Sequence, residues 1–225
     1  MIKQDLIDLS PVRFFDGIAD GGLKEGQIGL ITAKKGLGKT SVLVQFAIDA
    51  LIQDKALAHV SFDQQSSNVI SWYNSVLAEI GKKKNLGDMT ELTASIVRER
   101  IILNFNQETF TLPRVVSTIK ALKEGGIKIA AIIVDGADLS KISVDDLKVV
   151  SEFVQSEKLI AWFSDTNEKA ELENTLPAEK LPFFDSIAHI ASDGNAVVLT
   201  VLKANGKNAT GAKLKLDSKS SLMTK

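Results

Sequence analysis

Cysteine is absent from this 225-residue chain. That removes disulfides, zinc thiolates and thiol catalysis together, and it suits a reducing compartment. Histidine occurs only at positions 59 and 189, each within its own apolar run, so a histidine-based metal centre is not expected. Long hydrophobic runs are missing too. The longest clean one, IAAIIV at 129–134, is far short of the ~20 residues that a membrane helix needs. The opening MIKQDLIDLS carries acids among its apolar residues and has no signal-peptide core. Nor is there a charge imbalance: net charge is −1 and the pI about 6.2, so no overall basic field draws the chain to nucleic acid or anionic lipid. The expectation is a cytoplasmic protein without a membrane partner.

What is present suits a folded α/β domain. Apolar residues make up 44% of the chain and charged residues 24%, and the length allows a sizeable core. QIGLIT (27–32), ALAHVSF (56–62), KIAAIIVD (128–135) and KLIAWFS (158–164) read as strands, with RIILNF (100–105) as a fifth. Their unbroken hydrophobicity is that of parallel strands covered on both faces. Between them, 41–52, 67–80, 112–124 and 144–156 repeat apolar residues at helical spacing. The tail differs: 186–192, 195–203 and 211–217 read as strands joined by glycine- and asparagine-bearing turns, which predicts antiparallel strands added to a mostly parallel sheet. Segments 81–98 and 165–185 are polar and aperiodic and read as loops. With no repeat and no long linker, the chain reads as one domain over 1–225, with 1–20 as a lead-in.

The chemistry concentrates in AKKGLGKTS: Ala33, Lys34, Lys35, Gly36, Leu37, Gly38, Lys39, Thr40 and Ser41. A strand enters, glycines turn and an amphipathic helix leaves, which is the context a Walker A phosphate loop requires. Gly36 and Gly38 let backbone amides converge on phosphate oxygens. Lys39 is expected to reach the β- and γ-phosphates, and the Thr40 hydroxyl to ligate Mg²⁺. Asp135, ending the strand IIVD, is the second expected metal-site residue, with Asp138 as a carboxylate nearby.

On these residues the chain resembles RecA-fold ATPases of the KaiC and DnaB-helicase type. Residues 21–65 look like their opening, IIVDGAD like their metal-binding strand, KLIAWFSDTN like their sensor strand, and VLKANGKNATGAKLKLD like their C-terminal hairpin region. The resemblance spans about 20–217. It implies a three-layer RecA-like domain, ATP with Mg²⁺, and a ring or filament or other protein partner. It also implies three catalytic supports, each altered here. Asp63 or Gln64 stands where a glutamate polarises water. Asp165 stands at a polar sensor position, where a carboxylate repels a γ-phosphate. Lys203 is kept as a finger residue, but Asn205 replaces the arginine two places on; such an arginine is worth about 10³–10⁵ in rate. The string from Lys34 to Thr40 also resembles the deviant loop of MinD- and ParA-like ATPases, although Lys35 breaks that pattern and charge around a triphosphate is the simpler role.

The leading expectation is an Mg-ATP-binding regulatory or assembly switch with weak or absent hydrolysis. The alternative is an active DNA-linked ATPase, like the helicase and recombinase relatives; nucleic acid is not favoured by the near-neutral charge. Lys82, Lys83 and Lys84 read as a solvated loop, and of Trp72 and Tyr73 at least one belongs to the core while the other is available to stack on a base. No asparagine-lysine-x-aspartate string marks guanine recognition, which favours ATP.

Overall fold

The protein is described by a computed structural model, over residues 2–62, 65–84, 89–105, 111–209 and 211–225. Two short helices lead in, α1 (Ile2–Asp8) and α2 (Val12–Ile18). There follow β1 (Ile28–Ala33), α3 (Lys39–Ile52), β2 (Ala56–Ser61), α4 (Ser66–Lys84), α5 (Thr90–Arg98) and β3 (Arg100–Asn104). The chain continues through α6 (Leu112–Glu124), β4 (Ile129–Asp135), α7 (Val144–Ser156), β5 (Ile160–Thr166) and the single turn α8 (Leu172–Thr175). It finishes with β6 (Ser186–Asp193), β7 (Ala196–Ala204), β8 (Lys207–Asn208), β9 (Lys213–Leu216) and β10 (Met223–Thr224).

The ten strands among the described residues form one sheet, ordered β10-β9-β7-β6-β1-β5-β4-β2-β3, with β8 added beside β7. The strands from β6 to β3 in that order pair in parallel. The fold is therefore the mixed α/β expected, a mostly parallel sheet with antiparallel strands added by the tail. One detail differs: β6 was expected among the antiparallel tail strands, yet it lies parallel to β1 and antiparallel to β7. Its sequence SIAHIAS is buried through its first five residues, the burial of a central strand rather than an edge.

Each face of the sheet carries its own core. Ile31, Ile133 and Trp162 meet α3, α4 and the lead-in on one face, whereas Leu30, Val134 and Phe163 meet α6 and α7 on the other. This makes the three layers. Helix α3 is buried nearly all round, which explains its broad run of apolar residues. Gly29 admits the Trp162 ring across β1: a Cβ there would stand 2.3 Å from that ring. Trp162 in turn stacks on Phe46 of α3 at 4.1 Å and meets the Phe15 edge at 5.5 Å, so the lead-in is built into the core.

Segment 81–98 departs from the loop expectation. Helix α4 runs on through Lys84, and Thr90–Arg98 forms α5, where Ile96 is buried. The stretch TELTASIVR is amphipathic but only nine residues long, short for a helix to be recognised from its pattern. Of segment 165–185, Asp165 and Thr166 close β5, and the rest holds α8 and a turn of 3₁₀ helix at Leu181–Phe183.

Candidate functional site

The loop follows from β1. Ala33 is fully buried at its end, so only a small side chain suits that first position. Gly36 and Gly38 have φ of 89° and 95°, a left-handed conformation that L side chains rarely adopt. Gly38 also caps α3, and no side chain caps that helix start, which leaves first-turn amides facing the loop. The Lys39 ammonium curls back to donate to the Ala33 carbonyl at 3.1 Å. Lys35 lines the adjoining cavity with Gly36, Gly38, Thr40 and Ser41. Lys34 points elsewhere, towards Glu168 at 3.6 Å, in a pair whose side chains are both about two-thirds exposed and contribute little.

Thr40 and Asp135 meet as the sequence predicts. Thr40 Oγ1 donates to Asp135 Oδ2 at 2.8 Å, and Ser164 Oγ donates to Asp135 Oδ1 at 2.6 Å. Gly136 N–H donates to Ser164 Oγ at 2.9 Å and fixes that hydroxyl. Burial pushes the Asp135 carboxyl up, while the Ser164 and Thr40 hydrogen bonds and the Lys39 charge pull it back. A hydroxyl and a carboxylate in contact form the hard oxygen set that suits Mg²⁺. Ser164 was not singled out from sequence; its signal was a polar residue closing the buried strand KLIAWFS. Asp138 turns away, to Ser140 N–H at 3.2 Å and Lys141 at 2.9 Å.

Of the expected catalytic supports, the two described ones, Asp165 and Lys203, are not in the lining of this cavity. Asp63 and Gln64 lie outside the described residues. Asp165 pairs in register with Thr32, on the sheet face opposite Ser164, and accepts from Leu139 N–H at 3.4 Å. Burial lifts its carboxyl to about 6. Thr166, one residue on, faces the loop and lines the cavity. A one-residue step along a strand exchanges faces, so Asp165 and Thr166 project to opposite sides of the sheet. Lys203 is buried and donates to the Leu181 and Phe184 carbonyls at 2.9 and 2.6 Å, so its ammonium is an internal tie and not a finger at the surface. Asn205 and Gly206, with φ of 46° and 79°, make the hairpin turn between β7 and β8. Asn205 Nδ2 donates to the Asp20 carbonyl at 2.7 Å.

The cavity beside the loop measures about 830 Å³ and takes its other walls from two places. One is α4, through Asn68 and Trp72. Trp72 is 37% exposed, whereas Tyr73 is wholly buried and bonds His59 Nδ1 at 3.0 Å, so the two aromatics divide as cavity wall and core. The other wall was not foreseen: the turn after β9, through Asp217, Ser218 and Ser221. That turn is tied to both helices bordering the cavity. Gln45 of α3 donates to the Ser221 carbonyl at 2.9 Å and accepts from Met223 N–H at 2.9 Å. Lys83 of α4 pairs with Asp217 at 2.9 Å, which with Ser220 holds that carboxyl well below the usual range. Lys82 pairs with Glu79 one turn back on α4, so of these two lysines one serves a local ion pair and the other a long-range one.

His189 bonds Thr32 at 2.9 Å, and no cluster of histidine and carboxylates suited to a metal occurs among the described residues. No helix among them is long and apolar enough to cross a membrane. A protein-family model described as ATPase: KaiC matches residues 10–162, from the lead-in through β4 and α7 into β5. No curated protein matches the chain at a significant level.

Proposed function

Because the chain belongs to the KaiC ATPase family, we propose that it binds ATP with Mg²⁺ as a regulatory or assembly switch whose hydrolysis is slow or absent. Nucleotide binding follows from the family; the balance between holding and cutting is read from the site. One contrast carries the reading. The groups that hold a triphosphate converge on one cavity, while Lys203 is engaged by the Leu181 and Phe184 carbonyls and Asp165 by the Leu139 amide.

In this reading Lys39 leaves the Ala33 carbonyl for the phosphates, and Gly36, Gly38 and the start of α3 supply amide donors. Thr40 and Asp135 would hold Mg²⁺, which would supply positive charge beside the phosphates. Trp72 takes the base by stacking, with Asn68 and the Asp217–Ser218 turn as polar contacts around the nucleoside. A cavity of about 830 Å³ accommodates a ligand of that size.

Titration of the purified chain with ATP and Mg²⁺, followed by a phosphate-release assay, tests this. Saturable binding that Lys39→Ala abolishes, with turnover near background, is the expected result. Robust turnover would overturn the switch reading, and turnover strongly stimulated by DNA would favour the motor. Absence of nucleotide binding would overturn both.

A further inference from the structure

A second cavity, of about 150 Å³, lies under α2 and the last turns of α3, at the end of the sheet remote from the phosphate loop. Asp49 borders it nine residues along α3 from Thr40, roughly 14 Å by helical rise. Its floor is apolar, formed by the stacked Phe46 and Trp162 rings with Leu57 and Ile160. Its polar edge is Arg13, Asp16, Asp49 and Gln53.

One carboxylate oxygen of the polar edge is left without a donor. The Arg13 guanidinium serves both carboxylates, pairing with Asp16 Oδ2 at 2.8 Å and with Asp49 Oδ2. Gln53 Nε2 also donates to Asp49 Oδ2, at 2.7 Å. Asp49 Oδ1 has no hydrogen-bond partner, although the residue is only 7% exposed. A buried carboxylate oxygen left without a donor is costly and calls for an occupant. Asp16 is shaped into the same edge: a Cβ on Gly22, which has φ of 72°, would stand 2.2 Å from Asp16 Oδ1. Lys55 also borders the cavity, so the formal charges balance. The unmet need is for an N–H donor at Asp49 Oδ1, with Asp16 close by on the same edge and a floor that accepts hydrocarbon. A primary ammonium carries three such donors on one atom.

We propose that this cavity is a binding site for a small organic ammonium, whose charged head meets Asp49 and Asp16 and whose apolar body lies on Trp162 and Phe46. The volume is that of about five water molecules, which limits the ligand to roughly six heavy atoms. Isoamylamine fits that description. The site is independent of the nucleotide reading, since it shares no lining residue with the phosphate cavity.

The test uses the full chain carrying Trp72→Phe, which leaves Trp162 as the sole indole. Isoamylamine titrated into it should shift the Trp162 fluorescence saturably. Isoamyl alcohol and isovalerate, matched in shape without the ammonium, should not. Asp49→Asn should weaken the amine about tenfold or more, as loss of a charge-assisted contact does. Asp16→Asn, at the more exposed position, gives the same reading if Asp49→Asn does not fold. No saturable shift, equal binding of the alcohol, or unchanged affinity in Asp16→Asn would overturn the proposal.

Discussion

Asp165 shows how one side chain sets a pH dependence. The folded state holds its proton up to about pH 6, whereas the ordinary carboxyl value is 3.8. Burial is the main cause; the Leu139 and Thr166 amides and the Lys39 charge oppose it, and Asp138 adds to it. A raised value in the folded state means stability is greatest below about pH 4 and falls as pH rises towards 6. Above 6 the loss is complete. Asp165→Asn keeps an acceptor for Leu139 N–H and has no proton to lose. At pH 7.5 the variant should therefore be more stable than the parent by on the order of 2 kcal/mol, and the advantage should vanish near pH 4. Urea unfolding followed by circular dichroism at the two pH values reads the difference directly. An advantage that does not change with pH would show that the carboxyl charge is not the cause.

Among elements, the turn and strand after β9 are the least expected part of the site. Gln45 holds this segment through the Ser221 carbonyl and the Met223 amide, one turn of helix beyond Ser41. Removing residues 217–225 takes away one wall of the phosphate cavity and leaves the Gln45 amide without those partners. Nucleotide affinity should fall by about tenfold or more, and Gln45→Ala should give part of that loss, both measured by ATP titration. Why this wall was illegible is physical. Strands β1, β2, β4 and β5 announce themselves as unbroken apolar runs, and the loop as glycines between a strand and a helix, all local signals. The segment DSKSSLMTK has no period and few apolar residues, and it acquires its place through α3 and α4, which are remote in sequence. Ser164 was hidden for a related reason: its value lies in which sheet face it shares with Asp135, and that depends on register. The same dependence on register puts Thr166 rather than Asp165 in the cavity lining. Thr40, Lys39 and Asp135, by contrast, were readable because loop and strand end each carry a self-contained pattern.

Taken whole, the molecule joins its two cavities through a single helix, with the phosphate loop at the start of α3 and Asp49 and Gln53 near its end. It also joins early and late sequence at the nucleotide site. The Gln45–Ser221 and Gln45–Met223 bonds span 176 and 178 residues. Loop closure over such separations is entropically unfavourable until much of the sheet between them has formed, so contacts of this kind arise late in folding. Secondary structure and the parallel sheet should thus recover before the cavity does. In refolding from urea, far-ultraviolet circular dichroism should regain its native value ahead of the capacity to bind nucleotide. Simultaneous recovery would mean that the wall forms with the sheet. If the lag is seen, the first moment at which ATP can be held marks the docking of the chain's last segment onto α3, and the ligand becomes a clock for a late step of folding.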